Sequence, residues 1–129
     1  MNFLIQKEST LSYEEAVVKS VEALKTQGFG VLTEINVKET LKKKIDVDFK
    51  KYIILGACNP PLAHKVLSAK PEIGVLLPCN VVVYEDDHGK TQISTFNPQL
   101  MAEMVNDSTV LSAAKEVEEK LRAVLDLIP

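Results

Sequence analysis

The stretch from Tyr52 to Tyr84, YIILGACNPPLAHKVLSAKPEIGVLLPCNVVVY, restricts the possible folds more than any other part of the chain. Tyr52 to Ala57 is a continuous apolar run, too short for a stable helix and bounded by turn signals. It reads as a strand buried on both faces. Asn59-Pro60-Pro61 then opens a helix, because asparagine caps well and proline suits the first helical position. Leu62, Ala63, Val66 and Leu67 form its apolar side, and Lys70-Pro71-Glu72 ends it. A second extended run follows, with Pro78 marking a bulge or a strand start ahead of Val81-Val82-Val83-Tyr84. Asp86 to Lys90 is a turn, and Thr91 to Phe96 returns as a hairpin partner.

The flanking segments supply more elements of both kinds. Residues 2–7 read as a first strand. Ser12 and Glu15 have capping-box spacing, and Tyr13, Val17, Val21 and Leu24 recur at helical intervals before Gly28. A second strand over Val31 to Ile35 leads to a short helix capped by Asn36, which should turn Leu41 and Ile45 inward. Asn97-Pro98 opens another short helix with Leu100, Met101 and Met104. Asn106-Asp107-Ser108 starts the longest one, apolar at Val110, Ala114, Val117, Leu121, Val124 or Leu125, and Ile128. Glu116–Lys120 and Glu118–Arg122 add i, i+4 support on its outer face. The order β-α-β-α-β-α-β-β-α-α specifies an α+β protein. A single domain over residues 1–129 is expected, with a mixed sheet of about five strands covered by helices in two or three layers.

At 129 residues the chain can bury a real core without staples. It holds 15 basic and 18 acidic residues, well mixed, for a net charge of −3. That balance speaks against a protein that works by neutralising phosphates, so no nucleic-acid partner is expected. Lys42-Lys43-Lys44 suits the last turn of a helix, where cations meet the macrodipole. No apolar run reaches the roughly 18 residues that a membrane span requires, and the opening residues carry no basic region followed by an apolar core. A cytoplasmic protein with no membrane partner is the expectation.

Candidate chemistry centres on Cys58, Asn59, His64 and Cys79. Cys58 ends a buried strand just before a helix N-terminus, a position that favours a thiolate, although Pro60 and Pro61 offer no N–H to it. Cys79 shares a face with Val81 and Val83, which favours packing. If their strands run parallel, the two cysteines lie at opposite sheet edges, roughly 15–20 Å apart, and an intrachain disulfide is not expected. His64 lies about 200° round its helix from Leu62 and faces away from the apolar arc. Within CNPPLAH, Cys58 and His64 form the candidate metal pair. His88 falls in a turn, and Met101 and Met104 read as core filling. No paired carboxylates, phosphate-binding loop or nucleophile elbow is present, so no catalytic residue is assigned.

The run SYEEAVVKSVEALKTQGFGVLTEINVKETLKKK, followed by YIILGACNPPLAHKVLSAKPEIGVLLPCNVVVYED, resembles the bacterial and archaeal "domain of unknown function 302" family over nearly the whole chain. LGACNPPLAHKVL and PEIGVLLPCNVVV carry most of that resemblance. It implies a small α+β domain and a homodimer, and it supplies no established activity. Three functions follow as expectations. The first is a homodimer that binds a small molecule, a metal ion or haem near the CNPPLAH turn, through Cys58, Asn59, His64 and Cys79. The second is a thiol-based redox enzyme or sensor using Cys58. The third is a structural or partner-binding domain.

Overall fold

A computed structural model describes residues 3–129. In chain order the elements are β1 (Leu4–Ser9), α1 (Tyr13–Thr26), β2 (Gly30–Asn36), α2 (Val37–Ile45), β3 (Tyr52–Cys58) and α3 (Pro60–Ala69). A 3-10 helix (Pro71–Leu76), β4 (Cys79–Glu85), β5 (Thr91–Phe96), α4 (Pro98–Val105) and α5 (Ser108–Asp126) follow. The first strand, expected over residues 2–7, lies slightly later, and Asn2 is outside the described residues.

The local signals act where the sequence puts them. Ser12 Oγ accepts from the Glu15 backbone N–H and donates to its carboxylate. Asn36, Asn59, Asn97 and Asp107 each accept from a backbone N–H in the first turn of the helix they precede. Gly28, at φ +82°, makes the left-handed turn that releases α1 toward β2.

The five strands form one sheet in the order β1-β5-β4-β3-β2. Every pairing in it is antiparallel. The parallel neighbours that the sequence left open do not occur, because α2 and α3 return the chain to the adjacent strand in the opposite sense. One face carries Ile5, Ile53, Leu55, Ala57, Val81, Val83 and Ile93, covered by α1 and the C-terminal half of α5. On α1 the residues pressed against this core are Ala16, Ser20, Ala23 and Leu24, while Val17 and Val21 flank them. Small residues at the contact let the helix approach the sheet closely. The Ser20 hydroxyl is buried there, and no hydrogen-bond partner for it is found among the described residues.

Two expectations about burial are corrected. α2 buries none of its residues, and Ile45 is 63% exposed, so Leu41 and Ile45 do not serve a core. α2 packs against β2 and β3 at one edge of the sheet instead of across it. β3 is deeply buried on one face only. Tyr52 and Ile54 are half-buried on the other, alongside Tyr84 and Val82 of β4. The result is two layers, with helices on one side.

The second core lies beyond the end of the sheet. Leu62 and Val66 of α3, Ile73 of the 3-10 helix, Ala102 of α4, and Val110, Ala113 and Ala114 of α5 pack together. Thus α5 serves both cores, its first half closing this cluster and its second half lying on the sheet. Met101 is buried as expected, but Met104 is 68% exposed.

Candidate functional site

The antiparallel register of β3 and β4 pairs Ala57 with Cys79, so Cys58 and Cys79 lie at the same end of the sheet. The expected separation of a strand length is therefore corrected: it required parallel neighbours. Both cysteines are free and partly exposed, and both line one cavity of about 350 Å³.

Four parts of the fold build this cavity. Ala57, Cys58 and Cys79 form the sheet end, with Phe29, Leu32 and Thr33 beside them. Asn59, Leu62, Ala63, Val66 and Leu67 come from the start and inner face of α3. Val110, Ala113, Ala114 and Val117 come from α5, and Leu77, Pro78, Pro98 and Met101 close the remainder. No charged side chain is among these residues. Only Thr33, Asn59 and the two thiols bring polar atoms, and the amide of Asn59 is already engaged. Its Nδ2 donates to the Gln27 carbonyl at 3.3 Å, and its Oδ1 accepts from the Leu62 N–H at 3.4 Å. Asn59 thus fixes the turn between β3 and α3 and ties it to the end of α1.

Burial in this apolar setting pushes the Cys79 thiol up to about 11, and the neighbouring Cys58 adds to the shift. Cys79 is therefore a neutral thiol at physiological pH and behaves as a small apolar lining group. At Cys58 the helix N-terminus has little to offer an anion. Pro60 and Pro61 occupy its first positions, and the Leu62 N–H is taken by Asn59. His64 projects from the exposed face of α3 and is not among the lining residues. Of the four predicted site residues the structure brings together Cys58, Asn59 and Cys79, and leaves His64 outside. Among the described residues no group of three or more His, Cys, Asp or Glu side chains is placed to share a metal ion.

Sequence reasoning missed the walls contributed by β2, α4 and the first half of α5. The signal for the last was present in Ala113-Ala114, two adjacent small residues in an apolar stripe. They give α5 a wider apolar arc than one sheet contact needs.

A five-stranded antiparallel sheet with helices on one face, and an apolar cavity at the end that holds Cys58 and Cys79, defines a small α+β domain. The chain belongs to the family described as "Domain of unknown function DUF302", which matches residues 5–128. A solved structure, that of an uncharacterised conserved DUF302 protein from Bacillus stearothermophilus, is 34% identical, with a TM-score of 0.92 over 100% of both chains. No curated protein matches. Among the described residues no helix is long and apolar enough to cross a membrane.

Proposed function

We propose that this protein binds a small, uncharged, apolar molecule in the cavity between α3, α5 and the end of β3 and β4. The observation that carries this reading is the lining itself: a concave site of about 350 Å³ with no charged side chain and both thiols in its wall. Ligand sites are concave and mostly apolar, with few polar groups, and this cavity has that character. Cys58, Asn59 and Cys79 belong to it as lining and framing groups. The neutral state of Cys79 and the absence of a donor array at Cys58 favour binding over thiol chemistry.

The protein acts as a homodimer in this reading. Ile35, Ile54 and Val82 form a row across the sheet face that carries no helix, with Tyr52 and Tyr84 stacked 5.2 Å apart beside them. An apolar row of this kind marks an interaction surface, and a second copy is the occupant proposed for it.

Binding is tested with a neutral, environment-sensitive dye such as N-phenyl-1-naphthylamine. Saturable fluorescence enhancement is expected, and Ala63→Phe, which fills the cavity from a half-buried position on α3, should abolish it while the protein still melts cooperatively. Dye binding that Ala63→Phe leaves untouched, or no saturable binding at all, overturns the reading.

A further inference from the structure

A second hollow of about 300 Å³ adjoins the first, lined by Leu76, Asn80, Thr95, Phe96 and Met104. The two share Pro78, Cys79, Pro98 and Met101, so these side chains form their common boundary. Neither lining contains a charged residue. Resting on the reading of the first cavity as a binding site, we infer that its ligand is a single unbranched alkyl or acyl chain, threaded through both hollows with its polar head at solvent.

Three features carry this. The first is arrangement. Two apolar spaces in series suit a long, thin occupant, whereas a compact one would fill only the first. The second is the partition between them. Met101 is buried at 9% exposure, and its unbranched side chain turns aside with small rotamer changes that a branched or aromatic residue could not make. Cys79, the facing group, is small and uncharged at physiological pH, so it adds no electrostatic barrier to a passing chain.

The third feature is polarity along the path. The first cavity runs from Phe29 and Ala57, 2% and 0% exposed, to Leu32 at 68%, and the second hollow reaches Phe96 and Met104, 43% and 68% exposed. Asn80 also sits at this outer end, exposed, with its carbonyl already accepting from Thr95 Oγ1 at 2.8 Å. A chain with its tail against Phe29 and Ala57 therefore reaches solvent past Phe96 and Met104, where its polar head would lie. With no cation in either lining, the head is recognised weakly and the chain supplies the affinity.

The test is displacement of N-phenyl-1-naphthylamine by straight-chain alcohols from hexanol to hexadecanol, using the full chain. Each added methylene should tighten binding about fourfold, the factor that burial of one methylene from water supplies. Met101→Phe should halt that gain at a shorter chain while sparing the shortest alcohols. Met104→Ser, at an exposed position that leaves folding intact, should weaken only the longest alcohols. A plateau at the same short length in wild type and both variants means that one hollow is used; it overturns the threaded chain and leaves the small-ligand reading standing. Dye that binds in an Ala63-sensitive manner but yields to no alcohol also overturns it. Absence of dye binding removes both readings. A monoacyl lipid supplied in neutral vesicles competes if the chain is drawn from a membrane, and free alcohols alone compete if it is drawn from solution; either result supports the inference.

Discussion

Cys79 shows how one residue's surroundings determine what it can do. A cysteine in water ionises near 8.5, but burial in the apolar lining and the proximity of Cys58 hold this one near 11. The linkage sign follows directly. Below the unfolded value both states keep the proton, and the thiol contributes no pH dependence. Between about 8.5 and 11 the unfolded chain ionises while the folded protein does not, so stability falls as pH rises through this window. Replacing Cys79 with Ala should flatten that alkaline loss, measured as urea midpoints at a series of pH values. An unchanged alkaline slope in Cys79→Ala would show that other groups set it. The same burial predicts that iodoacetamide modifies Cys79 slowly at neutral pH, since the thiolate is the reactive form.

Elements explain why the site lies where it does, and why part of it was hidden in the sequence. Caps, turns and helix periods were legible, because Ser12, Asn59, Asn97 and Asp107 act through bonds to residues two or three positions away. Strand direction was not legible, because β3 and β4 are joined by a helix and a 3-10 turn whose combined path local signals leave open. The placement of Cys58 beside Cys79 depended entirely on that direction. The α2 helix had an apolar spacing that suggested a buried side, yet it lies at the sheet edge beside β2 and β3 and leaves Ile45 in solvent.

Gly56 joins these elements mechanically. A Cβ at this position would overlap Thr33 Oγ1 of the edge strand β2 and meet Pro78 Cγ at 3.0 Å. Between Val31 and Thr33 the β2–β3 register shifts, and Leu32 at that bulge is 68% exposed, so β2 is a largely exposed edge with an irregular register. Gly56→Ala should therefore push β2 and Pro78 apart at the cavity rim. A loss of about 1–3 kcal/mol, the usual cost of overpacking, is expected in chemical denaturation. Faster amide exchange should be confined to β2. Stability and exchange equal to wild type would mean that Thr33 and Pro78 move aside freely.

At the scale of the whole molecule the two proposed surfaces are built from different side chains, and this makes them separable. The cavity opens at the end of the sheet under α3 and α5, whereas the Ile35–Ile54–Val82 row lies on the face away from α1 and α5. Along that row the chemistry changes from apolar to polar: Val82 is followed by Ser94 and then Gln6, whose side chains are hydrogen-bonded to each other at 3.3 Å. The β2–β4 half of the face is thus the part with apolar area to lose from water, and the β5–β1 half gives it a polar border, as interfaces generally have. Val82→Lys places a charge in the centre of the apolar half, where a monomer lets its ammonium reach solvent but a facing copy would have to desolvate it. Sedimentation equilibrium should give a dimer mass for wild type and a monomer mass for Val82→Lys. The wild-type melting temperature should rise with protein concentration, and that of the variant should not. Because Val82 lines neither hollow, Val82→Lys should retain dye binding, whereas Ala63→Phe should lose the dye and remain dimeric. A monomeric wild type at all concentrations would remove the dimer and leave the cavity untouched. Simultaneous loss of dimer and dye in Val82→Lys would show that the cavity is completed by the second copy.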